Sequence, residues 1–199
     1  PAASFHSARG GHTATRLPDG RVLLVGGVMN AHAAAFDASG PLTHGVELFD
    51  PAGRAPGALF PRAWRTLGHT ATSLADGRVL ILGGREGVME WRGTRLFDPR
   101  GGRWTFPVGP PDLRSNHTAT LLTDGTVLVV GGQITAVPSE QGRALRFDPA
   151  TNAFRASGRV PTTLPEHTAT RLADGAVRLV GGAVALRFDP ARDRFDPLP

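Results

Sequence analysis

The chain has 199 residues, long enough for one domain to bury roughly 70% of its unfolded surface without a disulfide or structural metal. It contains no cysteine and no tyrosine, and all 22 of its basic residues are arginine, which excludes thiolate, phenolate and lysine-amine chemistry. The formal charge of +5 is spread along the chain without a basic block, which argues against a nucleic-acid partner, and no apolar run approaches the roughly 20 residues of a membrane span.

What remains is fixed positive charge suited to carboxylate and phosphate groups. The 26 glycines and 17 prolines punctuate many short strands. With no apolar run of membrane-spanning length a soluble protein is expected; no charged-then-apolar leader is seen, but the chain begins without a methionine, which leaves the compartment open, secreted or cytoplasmic.

Residues 1–11 read as a connector of small and turn-forming residues that carries Arg9. From His12 to Gly27 runs the phrase HTATRLPDGRVLLVGG, which returns at His69, His117 and His167. Within it, His-Thr-Ala-Thr-x-Leu predicts a short strand, Asp-Gly a tight hairpin turn, and the apolar run beginning at Val22, Val79, Val127 and Val177 a second, buried strand. Each copy ends in Gly-Gly, at residues 26–27, 83–84, 131–132 and 181–182. A segment of variable length follows, then a third strand closing on Phe-Asp-Pro at residues 49–51, 97–99, 147–149 and 188–190. Five residues beyond the proline stands an aromatic in three copies, Trp104, Phe154 and Phe195, which predicts a fourth strand. The first copy has Pro56 there, so its outer strand is expected to be distorted.

The histidines recur at steps of 57, 48 and 50 residues, the period of four-stranded propeller blades that must stack on one another to bury both faces. The expected class is therefore all-β, a β-propeller with four blades at about 12–59, 60–107, 108–158 and 159–199 in a single domain 1–199. The 33 residues from His167 onward and the 11 before His12 together approach one repeat, which favours a ring closed by four blades. A closed ring implies a monomer; the alternatives are a fragment of a larger propeller and a ring completed by a second chain as a dimer.

The Arg-x-x-His-Thr-Ala-Thr, Asp-Gly-x-Val-Leu, Gly-Gly and Leu-Phe-Asp-Pro motifs resemble the bacterial kelch repeats related to the propeller of galactose oxidase. The resemblance spans nearly the whole chain. It implies a binding or interaction module whose histidines tie one blade to the next. It does not extend to galactose-oxidase chemistry, which needs the cysteine and tyrosine this chain lacks, nor to a sialidase, which needs a tyrosine nucleophile.

Strand alternation puts the second-to-third loops and the blade connectors on one face, where the sequence varies most: residues 28–46, 85–94 and 133–143. His32, Asp37 and His44 lie in the first loop, and Arg85, Glu86, Glu90, Trp91 and Arg92 in the second. Trp91 and Arg92, with the connector arginines Arg9, Arg65 and Arg114, are the candidate contacts for a protein or for an acidic small-molecule or carbohydrate ligand. No residue is assigned a catalytic role, since no G-x-S-x-G, H-E-x-x-H or phosphate-cradling loop is present.

The leading expectation is that no cofactor is bound. The alternative is a metalloprotein: in a ring of four blades His12, His69, His117 and His167 could converge at the channel mouth. At the roughly 2.0–2.2 Å of metal–nitrogen bonds they would hold iron, copper or zinc. That ring resembles the four-histidine iron centre of carotenoid-cleavage oxygenases, by analogy alone.

Overall fold

Alternating short strands and Asx turns build the same four-stranded unit four times. The computed structural model describes residues 9–27, 45–53, 58–60, 66–86, 89–90, 93–108, 114–134, 142–161, 164 and 166–198. Blade 1 comprises β1 (Thr13–Arg16), β2 (Val22–Val25), β3 (Val46–Phe49) and β4 (Ala58–Phe60). Blade 2 holds β5 (Thr70–Ser73) and β6 (Val79–Leu82), a small hairpin of β7 (Arg85–Glu86) and β8 (Met89–Glu90), then β9 (Thr94–Asp98) and β10 (Arg103–Thr105). Blade 3 is entered through β11 (Arg114–Ser115) and contains β12 (Thr118–Leu121), β13 (Val127–Val130), β14 (Gln133–Ile134), β15 (Arg143–Asp148) and β16 (Ala153–Arg159). Blade 4 is β17 (Thr168–Arg171), β18 (Val177–Gly181), β19 (Val184–Asp189) and β20 (Arg194–Pro197). Every sheet is an antiparallel meander, and the four together form a four-blade β-propeller without helices among the described residues.

Turn chemistry explains the register. In each Asp-Gly turn the aspartate carboxylate accepts the backbone N–H two residues on, as Asp19 does from Arg21 and Asp174 from Ala176. The Asp of Phe-Asp-Pro does the same, Asp50 from Ala52 and Asp148 from Ala150. The expected aromatics fall directly opposite the phenylalanines of the third strands. Phe97–Trp104, Phe147–Phe154 and Phe188–Phe195 have ring centroids 4.7, 5.0 and 4.7 Å apart, each pair worth about 0.5–1.5 kcal/mol beyond burial. In blade 1 the fourth strand forms after Pro56, at Ala58–Phe60, and pairs with Val46, Glu47 and Leu48.

The core lies between blades. Leu23, Val25 and Leu48 of blade 1 meet Val79, Ile81 and Phe97 of blade 2. Leu80, Leu82 and Leu96 meet Val127, Val129 and Phe147, and Leu128, Val130 and Ala144 meet Val177, Leu179 and Phe188. The innermost strands touch in series: β1 with β5, β5 with β12, β12 with β17. On the Asp-Gly face Arg21 donates to the Pro99 carbonyl at 3.1 Å and Arg78 to the Pro149 carbonyl at 2.7 Å, clasping blades 1 to 2 and 2 to 3. The residue count around the ring predicted a fourth joint, yet among the described residues no buried cluster joins blade 4 to blade 1. No helix among the described residues is long and apolar enough to cross a membrane.

Candidate functional site

Each phrase histidine stands where the chain leaves a connector and enters the innermost strand. The residue just before it is left-handed in every copy: Gly11, Gly68, Asn116 and Glu166 have φ of 70°, 66°, 57° and 46°. That bend turns the following ring toward the preceding blade. His69 Nε2 lies 2.9 Å from Thr13 Oγ1, His117 Nε2 2.9 Å from Thr70 Oγ1, and His167 Nε2 2.9 Å from Thr118 Oγ1. The partner in every case is the threonine next to the previous histidine. His167 Nδ1 lies 2.9 Å from the Leu164 carbonyl. Because a carbonyl only accepts, Nδ1 carries the proton there and Nε2 accepts from the Thr118 hydroxyl.

The Gly-Gly pairs complete the joint. A Cβ on Gly26 would strike the Thr66 carbonyl and come 2.8 Å from His69 Cε1; one on Gly83 would strike the Arg114 carbonyl and come 2.9 Å from His117 Cε1. On Gly131 it would collide with His167 Cε1. The second glycine donates across the same seam, Gly27 to the Thr66 carbonyl at 3.2 Å and Gly84 to the Arg114 carbonyl at 3.0 Å. All six glycines have positive φ, so two separate requirements exclude any other side chain. The fourth pair differs. Gly181 is the last residue of β18, and only Gly182 has positive φ, in the tight turn to β19.

His69, His117 and His167 are buried, at 6%, 5% and 7% exposure, and burial is the main cause that lowers each pKa. His69 is pushed down to about 4, although the carbonyls of Val25 and Thr66 pull upward. His117 is pushed down to about 3, with Arg114 and the two flanking histidines adding to burial. These rings are neutral at physiological pH. His12, by contrast, is exposed and makes no hydrogen bond among the described residues.

The four imidazoles named as candidate metal ligands are thus three interior rings engaged with threonines and one exposed ring. Among the described residues no three His, Asp or Glu side chains are grouped so that they could hold a metal ion.

Of the candidate ligand contacts, Arg9 and Arg114 face inward. The Arg9 guanidinium, 3% exposed, pairs with the fully buried Glu47 at 3.2 Å and donates to the Gly26 carbonyl at 3.3 Å. Burial lowers its pKa and Glu47 opposes that shift. Arg114, 1% exposed, donates to the carbonyls of Gly131 and Arg143, both at 3.2 Å. Both guanidinium groups brace the joint from within. Arg65, Trp91 and Arg92 lie outside the described residues, as do His32, Asp37 and His44. The histidine partners Thr13, Thr70 and Thr118 were missed in the sequence, though each stands beside a repeated histidine.

The same face carries a collar. Leu67, in the connector to blade 2, bridges to Arg85, which anchors the β7–β8 hairpin. In blade 3 the connector strand β11 pairs with β14, Arg114 opposite Ile134 and Ser115 opposite Gln133. The opposite face holds the four Asp-Gly turns.

These features define a β-propeller with clasped joints and a loop-bearing face. No protein-family model matches the chain, and no curated protein matches it in sequence.

Proposed function

We propose that this chain is a kelch-type, non-catalytic interaction module that recognises a protein or an acidic ligand with its loop-bearing face. The observation that supports it is the contrast between the two faces of one scaffold. The Asp-Gly face repeats one turn four times. On the other face the span from second to third strand runs from Val25 to Val46 in blade 1 but only from Gly181 to Val184 in blade 4, with the collar between. Rigid scaffolds carry recognition on loops of this kind. The acidic preference follows from a net charge of +5 carried by arginine alone.

The test uses two defined probes, a polyglutamate peptide and a sulfated oligosaccharide, titrated calorimetrically at low and physiological salt. Binding should weaken at least tenfold in Trp91→Ala and Arg92→Ala while the melting temperature holds. Absence of binding to both probes would overturn the acidic-ligand reading, and binding unchanged by both substitutions would overturn the choice of face.

A further inference from the structure

We propose that each Asp-Gly turn carries a dedicated arginine that guards it against isomerisation of the aspartate, a modification to which this dipeptide is prone because glycine puts no side chain beside the attacking nitrogen. In that reaction the glycine nitrogen bonds to the aspartate side-chain carbon. The carboxyl group gives up one oxygen as water, with one proton from the nitrogen and one from the acid, and hydrolysis of the five-membered imide returns aspartate or its β-linked isomer. The isomer adds one carbon to the turn backbone and so shifts the register that the turn sets between the first and second strands. Water leaves readily only from the protonated acid, so a carboxylate held in its ionised form resists the first step. The chain exposes four such sites, Asp19-Gly20, Asp76-Gly77, Asp124-Gly125 and Asp174-Gly175.

All four turns oppose that step with the same contacts. The glycine N–H donates to the carbonyl of the leucine three residues back: Gly20 to Leu17, Gly77 to Leu74, Gly125 to Leu122 and Gly175 to Leu172, at 3.0, 3.0, 3.1 and 3.0 Å. The aspartate Oδ1 accepts the backbone N–H two residues on, and Oδ2 accepts from a guanidinium. What differs is where the arginine comes from. In blades 1 and 2 it stands in the turn itself, as Arg21 and Arg78, and the residue before the third-strand phenylalanine is Leu48 or Leu96. In blades 3 and 4 the turn has Thr126 or Ala176 instead, and the third strand supplies Arg146 or Arg187, 22 and 13 residues from its aspartate. One guanidinium per turn, from either source, ties the arginine to the carboxylate and not to a strand position. Stability alone is a weak reason for the pattern: Asp174 and Arg187 are 55% and 36% exposed, and ion pairs so exposed add little. The Arg187 hydrogen bond is the largest cause that lowers the Asp174 pKa, favouring the ionised form. Burial raises the pKa of Asp76 and Asp124, but Arg78 in one turn, and Thr126 with Arg146 in the other, outweigh it.

The test incubates the folded protein in water enriched in heavy oxygen. Each passage through the imide places a heavy oxygen on the aspartate, which peptide mass spectrometry reads separately at the four turns. Arg187→Leu installs the residue that blades 1 and 2 carry at that position. It should raise labelling at Asp174 severalfold, with Asp19, Asp76 and Asp124 at the wild-type rate and the melting temperature unchanged. Arg187→Gln, the milder replacement, should give the same site-specific rise. Adding Ala176→Arg to Arg187→Leu rebuilds in blade 4 the arrangement of blades 1 and 2 and should return Asp174 to the wild-type rate. Labelling at Asp174 that stays at the wild-type rate in both single variants, or that rises equally at all four turns, would overturn the proposal. So would failure of Ala176→Arg to restore the rate, or a folded wild-type chain that labels as fast as one unfolded in urea.

Discussion

The joint between blades 2 and 3 and the outer edge of blade 4 are built from nearly the same phrase, and among the described residues only the first is filled by a following blade. At the closed joint Gly83 and Gly84 open the backbone, His117 enters the gap, Thr70 meets its ring, and Leu80, Leu82 and Leu96 are sealed. At the edge the Thr168 side chain makes no hydrogen bond among the described residues, Gly181 stays in its strand, and β18 alternates buried with exposed residues. The repeat motif therefore encodes half a joint, and its energetic value depends on whether a following blade supplies the histidine.

The comparison can be broken most severely at the glycines. Gly83→Val puts a branched side chain into the Arg114 carbonyl and the His117 ring from a left-handed backbone; a loss of about 4 kcal/mol or more is expected in denaturant unfolding. Gly181→Val should cost at most about 1 kcal/mol. Equal losses at the two sites would show that the phrase acts alike in every blade. Next in size, His117→Ala should lose about 2–4 kcal/mol through the cavity and the abandoned Thr70 hydroxyl, while His12→Ala should stay within about 0.5 kcal/mol in the monomer.

Acid should act on the same joints. The folded pKa values of His69 and His117, about 4 and about 3, lie below the ordinary 6.5 that applies when the chain unfolds. Below pH 6.5 the unfolded state takes up protons that the folded state refuses, so stability is full above pH 6.5 and falls as pH drops toward the folded values. Lowering the pH from 7 to 5 should cost on the order of 2 kcal/mol for each such histidine, measured by urea unfolding. His117→Ala should have the shallower pH profile, and identical slopes would contradict a neutral buried ring. The smallest effect belongs to Glu166, the one left-handed residue before a histidine that is neither glycine nor asparagine. Glu166→Gly should raise stability by about 0.5–1 kcal/mol in the same assay.

Much of the scaffold could be read from residues alone, because β-strand period, Asx turns and cross-strand aromatics are local. The pairs Phe97–Trp104, Phe147–Phe154 and Phe188–Phe195 follow from spacing, and so does the irregular fourth strand of blade 1. The joints were harder because they act between blades. Thr70 and His117 lie 47 positions apart, and a repeated histidine beside a repeated threonine does not show that each reaches into a different copy. Arg9 and Arg114 read as rim cations because sequence carries no sign of depth. Their carbonyl partners, Gly26 and Gly131, stand 17 residues on, beyond a hairpin. Counting residues around a ring measures repeat length, not curvature, so closure cannot be read from the count.

His69, His117 and His167 act as neutral interior ties between blades, and this assignment is open to direct test. It is tested most directly by following the side-chain nitrogen and carbon resonances of His117 by NMR from pH 7.5 to 4.5, with and without added zinc. The predicted result is a ring that stays neutral across the range, ignores zinc, and changes its environment in Thr70→Val. Protonation with a midpoint near 6.5, or a zinc-dependent shift shared with His69 and His167, would contradict it.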